Sequence, residues 1–358
     1  MYNHLIKFSI AFTIYLLGFS FSNIVLKLMP SFLFLLFIFD NNVFHLKENK
    51  IKINYNILYV FFFIIVLLSV IRNNHPTQSF TYNFFRVVNF SLVLILFIQT
   101  LKRFLNNKKL DFVDFFINTI FIPLSILVFL NFLVYLTGIG GTRDGGLMSG
   151  GEGCVMLGQI GISMGRVSFP ITPGYNSYAT LVGVLFLFSI YGAFFLKRYT
   201  LLMCSVLFIS GLTILMVDTR TAFFYPLFFI PVFAYFNKTE NPKLLYLIPG
   251  ITLFGNFIIL LGLFVVSQVS ELSVFERTPG DFETGNARAL IWFISSIEFM
   301  SFDWIHLLGY GEFGHFASGA SFKWAHIFNS WEHPELTSPH STFYLILFDY
   351  GYLGLLIV

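Results

Sequence analysis

Long apolar runs, almost free of charge and separated by short lysine-bearing loops, constrain this chain more than any other feature. A helix needs about 20 mostly apolar residues to cross the hydrocarbon of a bilayer. Ten stretches approach or reach that length: 5–20, 22–39, 53–71, 80–101, 112–136, 175–196, 200–217, 221–236, 244–267 and 341–358. Only 11% of the residues are charged, against 56% hydrophobic and 20% aromatic; a soluble domain carries about 25% charge. Fifty Phe residues are more than one globular core buries, whereas lipid accepts them on any helix surface. The expected fold class is therefore an all-α integral membrane protein, a single polytopic membrane domain over 1–358. The first apolar segment has no small-residue cleavage site, so it reads as a retained helix and not a removed signal peptide.

Lysine and arginine in the short loops set the orientation. Lys47, Lys50 and Lys52 follow the second run; Lys102, Arg103, Lys108 and Lys109 the fourth; Lys197 and Arg198 the sixth; Lys238 and Lys243 the eighth. All of them fall on one side if the N-terminus, with Lys7, is cytoplasmic. Two long external loops remain, about 137–174 and 268–340. The first is glycine-rich and the second holds His306, His315, His326, His333 and His340, five of the eight histidines. Ten of the twelve cytoplasmic cations are Lys, while seven of the nine others are Arg. The planar guanidinium fork suits phosphate oxygens, so the bias fits an anionic ligand; it also fits Lys simply setting topology. The last run stops at Val358, which reads as a C-terminus truncated ahead of further helices.

Three residues stand where chemistry is plausible. Arg220 lies in Asp218-Thr219-Arg220-Thr221-Ala222, at the expected external start of a span. There Asp218 or Thr219 can cap the helix, and its free N–H groups add to the guanidinium as an anion site; an Arg snorkelling to headgroups is the plain alternative. Arg288 opens an expected external helix over 286–300, where a cation opposes the helix dipole and a bound anion would offset the cost. A solvated surface Arg is the alternative. His340, in Ser338-Pro339-His340-Ser341, precedes the last run, and a helix N-terminus favours its neutral, proton-accepting form; an incidental loop histidine is the alternative.

Other signals are weaker. Gly309-Tyr310-Gly311-Glu312-Phe313-Gly314 spells GxGxxG, but it follows a helical run instead of a strand, so no dinucleotide site is expected. The loop histidines lack zinc spacing, and Asp281 with Glu283 supplies no further ligand, so no metal and no cofactor are expected. Arg72, Arg86, Arg143 and Arg166 are candidate secondary contacts, and for each the structural reading is the stronger one. The net charge of +3, without a basic aromatic patch, argues against nucleic acid. Cys154 and Cys204 are not expected to pair, since Cys204 lies within an apolar run.

The order of these motifs resembles the O-antigen polymerase and O-antigen ligase superfamily of bacterial surface polysaccharide assembly. Asp218-Thr219-Arg220-Thr221-Ala222 is similar to the family's Ser-Arg-Thr-Ala at the opening of a span. Then follow a large external loop opening at Asn286, Arg288 and Trp292, and Leu307-Leu308-Gly309-Tyr310-Gly311, like the family's Leu-x-Gly-x-Gly. His340-Ser341, nine residues, Gly351 and Gly354 is similar to its His motif followed by Gly-x-x-Gly. Upstream, Arg166 and Asn176 to Ala179 resemble its Arg … Asn-x-x-Ala. The likeness covers about 160–358.

The resemblance implies a GT-C-type helical fold with a large external loop between the last two spans. It implies a metal-independent glycosyltransferase in the bacterial inner (cytoplasmic) membrane. The donor would be an undecaprenyl-pyrophosphate-linked glycan, and the acceptor a glycan hydroxyl at the periplasmic face. It assigns pyrophosphate binding to Arg220 and Arg288, the acceptor-activating role to His340, and secondary substrate contacts to Arg166, Asn176 and Asn286. Partners would include membrane lipids, a chain-length regulator and a flippase. A polymerase is the favoured reading. A ligase passing glycan to lipid A core or protein shares its donor chemistry. A polysaccharide flippase or transporter is the rival of another class, and the chain lacks the internal repeats common among transporters.

Overall fold

The computed structural model describes residues 2–18, 63–76, 79–105, 111–138, 167–171, 175–218, 288–328 and 333–357, with a few single residues and short stretches between them. These residues are mostly helical, and none of them forms a strand. Contacts group the chain into two compact units, one of Met1–Lys47 with Val88–Glu240 and one of Glu48–Val87 with Asn241–Val358.

In the first unit, α1 is Tyr2–Gly18; α2, Phe80–Leu105, carries the chain from the second unit into it. Next comes α3, Phe112–Leu136. Asp111 caps its start by accepting from Val113 N–H at 3.2 Å, a common way to satisfy the first donors of a helix. One turn of α3, Ile117–Phe121, is π-helical. It precedes Pro123, which has no N–H for the carbonyl four residues back. Helix α4 is Tyr175–Ile190, ending in a π turn at Tyr191–Leu196, and α5 is Thr200–Val217. Left-handed backbone at Lys197 and Tyr199 turns α4 back on α5. At that turn Arg198 pairs with Asp114 at 3.0 Å and with Asp111.

Helices Phe112–Leu136, Tyr178–Leu196 and Thr200–Val217 are each long and apolar enough to cross a membrane. Their outward side chains say what solvent they meet: on α5, Leu201 and Phe208 are 84% and 67% exposed. Such surfaces on a helix apolar all round suit a lipid surrounding better than water. Several buried hydroxyls are satisfied within their own helix. Ser189, Ser210 and Thr213 donate to carbonyls four residues back, as required where no water reaches. Buried Asn131 exchanges two hydrogen bonds with the backbone of Ile171. Leu5–Leu17, Asn83–Ile98 and Thr342–Leu356 are shorter apolar helices. The runs expected at 22–39 and 244–267 lie outside the described residues, and that at 53–71 is described from 63 onward as helix.

The second unit is built differently. Helix α6, Arg288–Glu298, is followed by short pieces: α7, Ile305–Leu308; α8, Gly314–Ala317; and α9, Ala320–Trp324. Helix α10, Thr342–Ile357, completes it and is broken by non-helical backbone at Gly351. Ile291, Trp292, Trp324, Tyr344, Leu347 and Phe348 form its core. Each such side chain contributes about 1.5–3 kcal/mol on burial.

Candidate functional site

Helix α6 begins at Arg288, close to the start expected from sequence. Residues at intervals of four share a helix face, so Arg288, Trp292 and Ser296 form one row. That row is fastened to the segment leading into α10. The Trp292 indole N–H donates to the Pro339 carbonyl at 2.8 Å, a buried bond, and the Ser296 hydroxyl lies 2.5 Å from the Tyr344 hydroxyl. A second indole does the same two residues earlier, Trp324 N–H donating to the Thr337 carbonyl at 3.2 Å. Two tryptophans therefore pin the 337–339 backbone immediately before His340.

His340 itself has φ +51°, left-handed backbone that costs a non-glycine residue roughly 1–2 kcal/mol. Its imidazole stands against the Phe328 ring, centroids 6.2 Å apart. Burial, then the nearby charge of Arg288, then His315, push its pKa down to about 4. The ring is thus neutral through the neutral range, and Arg288 is close enough to act on it electrostatically. His315 is also brought to about 4, chiefly by burial. Its Nε2 faces the Leu336 carbonyl at 3.4 Å.

The glycine motif has a structural explanation. A Cβ on Gly309 would meet the Gly351 nitrogen at 2.6 Å, and one on Gly351 would strike Gly309 and the carbonyls of His306 and Leu307. Side chains on Gly311 and Gly314 would strike the Arg72 and Phe348 carbonyls. These glycines let the α7–α8 connection lie backbone to backbone against α10 and residue 72, so no phosphate cradle is needed to account for them. Arg72 donates to the Gly309 and Leu308 carbonyls at 2.8 and 2.9 Å. The Asn74 side chain donates to the carbonyls of Arg72, Tyr310 and Glu312, and Arg86 pairs with Glu312. Arg72 and Arg86 are accordingly committed to holding this loop.

A polar chain closes its far side. Asp303 N–H donates to His306 Nδ1 at 3.2 Å, which leaves the ring proton on Nε2, 3.1 Å from the Tyr310 hydroxyl. That hydroxyl donates to Glu298 at 2.9 Å. His306 is thereby a structural residue, satisfied on both nitrogens. Among the described residues no group of three His, Cys, Asp or Glu side chains is placed to hold a metal ion.

The structure brings Arg288 and His340 into one neighbourhood within the second unit. Arg166, Arg220 and Asn286 lie outside the described residues, as does Arg143; Asn176 lies in the first turn of α4. Asp218, one of the two expected caps for the following helix, is the residue at which α5 ends, buried and with φ +54°. Cys204 is an exposed free thiol. The residues sequence reasoning missed are Trp292 and Trp324 as anchors of the backbone before His340, and Asn74 as the loop clamp. Their partners are non-local, and only the tryptophans' scarcity, four in the chain, hinted at a role. Comparison with family profiles, characterised proteins and solved structures finds no match.

Proposed function

We propose that this chain is a metal-independent glycosyltransferase that joins lipid-pyrophosphate-linked glycan to an acceptor sugar hydroxyl at the periplasmic face of a bacterial inner membrane. On this reading it is a polymerase of the O-antigen polymerase and ligase kind, with ten spans in a GT-C-like arrangement and a cytoplasmic N-terminus. The observation that carries the reading is the pairing of Arg288 and His340. A guanidinium at a helix start and a neutral imidazole are held together by an indole-pinned backbone.

The chemistry follows from those two groups. The acceptor oxygen attacks the anomeric carbon and forms the new glycosidic bond as the bond from that carbon to the lipid pyrophosphate oxygen breaks. The electron pair leaves with the pyrophosphate, whose charge is already delocalised, so no general acid is required. Arg288 stabilises it through charge-assisted hydrogen bonds of about 1.5–3 kcal/mol each, with Arg220 as the second guanidinium. His340, neutral and facing the acceptor, takes the hydroxyl proton. An arriving diphosphate also offsets the Arg288 field that lowers His340, so binding the donor strengthens the base.

Single substitutions Arg220→Ala, Arg288→Ala and His340→Ala, with polymer length read on a gel, test the assignment. Each is expected to abolish long polymer; full-length polymer from all three refutes it.

A further inference from the structure

The stretch from α6 through α7 carries an exposed surface that water does not suit. Phe293, Ile297, Met300, Phe302, Trp304 and Leu308 are all exposed, Met300 and Trp304 to 80% and 78%. On α6 the exposed Phe293 and Ile297 lie away from the buried Trp292 and Ser295, so the helix buries one apolar side in the protein and presents another outward. A contiguous apolar band of this kind marks an interaction surface.

Its position along α10 indicates what covers it. The Tyr352 hydroxyl donates to the Phe299 carbonyl at 3.2 Å, and the Phe302 and Tyr352 rings stack at 6.5 Å. Gly351 abuts the backbone of His306, Leu307 and Gly309. Tyr352 lies ten residues past Thr342, about 15 Å of helix rise. The early turns of α10 are apolar because protein surrounds them: Tyr344, Leu347 and Phe348 are core residues. Only beyond the Gly351 break does α10 show a large apolar side chain outward, Leu356 at 82%.

Irregular backbone at membrane depth requires its polar groups to be satisfied by protein. Arg72 and Asn74 do this for the carbonyls of residues 308, 309, 310 and 312. Asp303 is exposed within the band and fixes its depth. A carboxylate at mid-bilayer is costly, whereas Trp is the side chain most at home at the headgroup boundary.

We infer that the band formed by α6, residues 299–304 and α7 rests in the headgroup–acyl boundary of one bilayer leaflet, which meets α10 near Gly351 and not at its start. The occupant is lipid, and the inference is independent of the catalytic reading. It also stands His340, eleven residues before Gly351, clear of the lipid on the aqueous side.

The test uses the full chain in phosphatidylcholine vesicles, comparing wild type with Trp304→Phe. The difference between their fluorescence isolates Trp304, leaving Trp292 and Trp324 in place. Lipids brominated near the carbonyl are expected to quench the Trp304 share strongly, and aqueous iodide to leave it unquenched. Quenching of that share by iodide, or stronger quenching by bromines at the chain end, overturns the placement. An independent readout is Phe302→Cys in a Cys154→Ser, Cys204→Ser background. A membrane-soluble maleimide is expected to label it and a charged one to fail; equal labelling by both overturns the inference.

Discussion

The two units of this chain hold their backbones in opposite ways. In the first, α4 and α5 are regular helices whose backbone groups bond within each helix, and their Ser and Thr hydroxyls fold back on the same helix. Among its described residues the long-range polar contacts include Asn131 with Ile171 and, at the α4–α5 turn, Arg198 with Asp111 and Asp114. In the second unit, short helices and bare loops leave carbonyls that distant side chains must satisfy: Arg72 for Leu308 and Gly309, Trp292 for Pro339, Trp324 for Thr337. The difference teaches where function can reside. A self-satisfied helix needs only apolar side chains and lipid, whereas a loop fixed by named side chains can hold Arg288 and His340 in one geometry, including a left-handed His340.

Breaking that second arrangement should hurt more than anything done to the first. The largest effect is expected from His340→Ala, a loss of glycan transfer of about 10²–10⁴-fold with the protein still folded. Turnover and melting temperature measured on one preparation check both halves. Next is Gly309→Ala. Its Cβ would meet backbone at 2.6 Å, and overpacking of this kind costs typically 1–3 kcal/mol. A lower Tm in detergent is expected, with Gly138→Ala, which meets nothing within 4 Å, as the strain-only comparison.

Trp292→Phe keeps the ring and removes only the N–H. Leaving the Pro339 carbonyl unsatisfied costs about 1–3 kcal/mol, and loosening His340 should lower kcat more than it raises KM. Acid sensitivity belongs to the same region. His315 and His340 fall from about 6.5 to about 4 on folding, so the unfolded chain binds more protons between those values. Their stabilisation is complete above pH 6.5 and is lost as pH falls toward 4. His315→Gln should flatten that loss in a Tm-versus-pH series. The smallest effect is expected in the first unit. Arg198→Ala removes an exposed ion pair with Asp111 and Asp114, which solvent screens, and a near-unchanged Tm is expected.

The same contrast decides what was legible beforehand. Apolar length is a local property, so the helices at 112–136, 175–196 and 200–217 could be read directly, as could a helix opening near Arg288. The second unit's side-chain links join residues up to 238 positions apart, and no local pattern encodes them. The GxGxxG spelling shows the limit well. No local pattern explains its glycines: Gly309 lies against Gly351, forty-two residues away, and Gly311 and Gly314 lie against the carbonyls of Arg72 and Phe348. Likewise Arg72 and Arg86 read more as structural residues than as substrate contacts, but the carbonyls and the Glu312 carboxylate they hold lie too far along the chain to be named beforehand. His340 was legible as a neutral imidazole from its place before a helix, although burial, more than the helix start, holds it neutral.

The central claim is that Arg288 and His340 together act on a lipid diphosphate. The most direct measurement is transfer by purified protein in vesicles supplied with undecaprenyl-pyrophosphate-linked glycan and a metal chelator. A product ladder from wild type, and none from Arg288→Ala or His340→Ala, is the predicted result. A ladder of wild-type rate and length from either variant would contradict it.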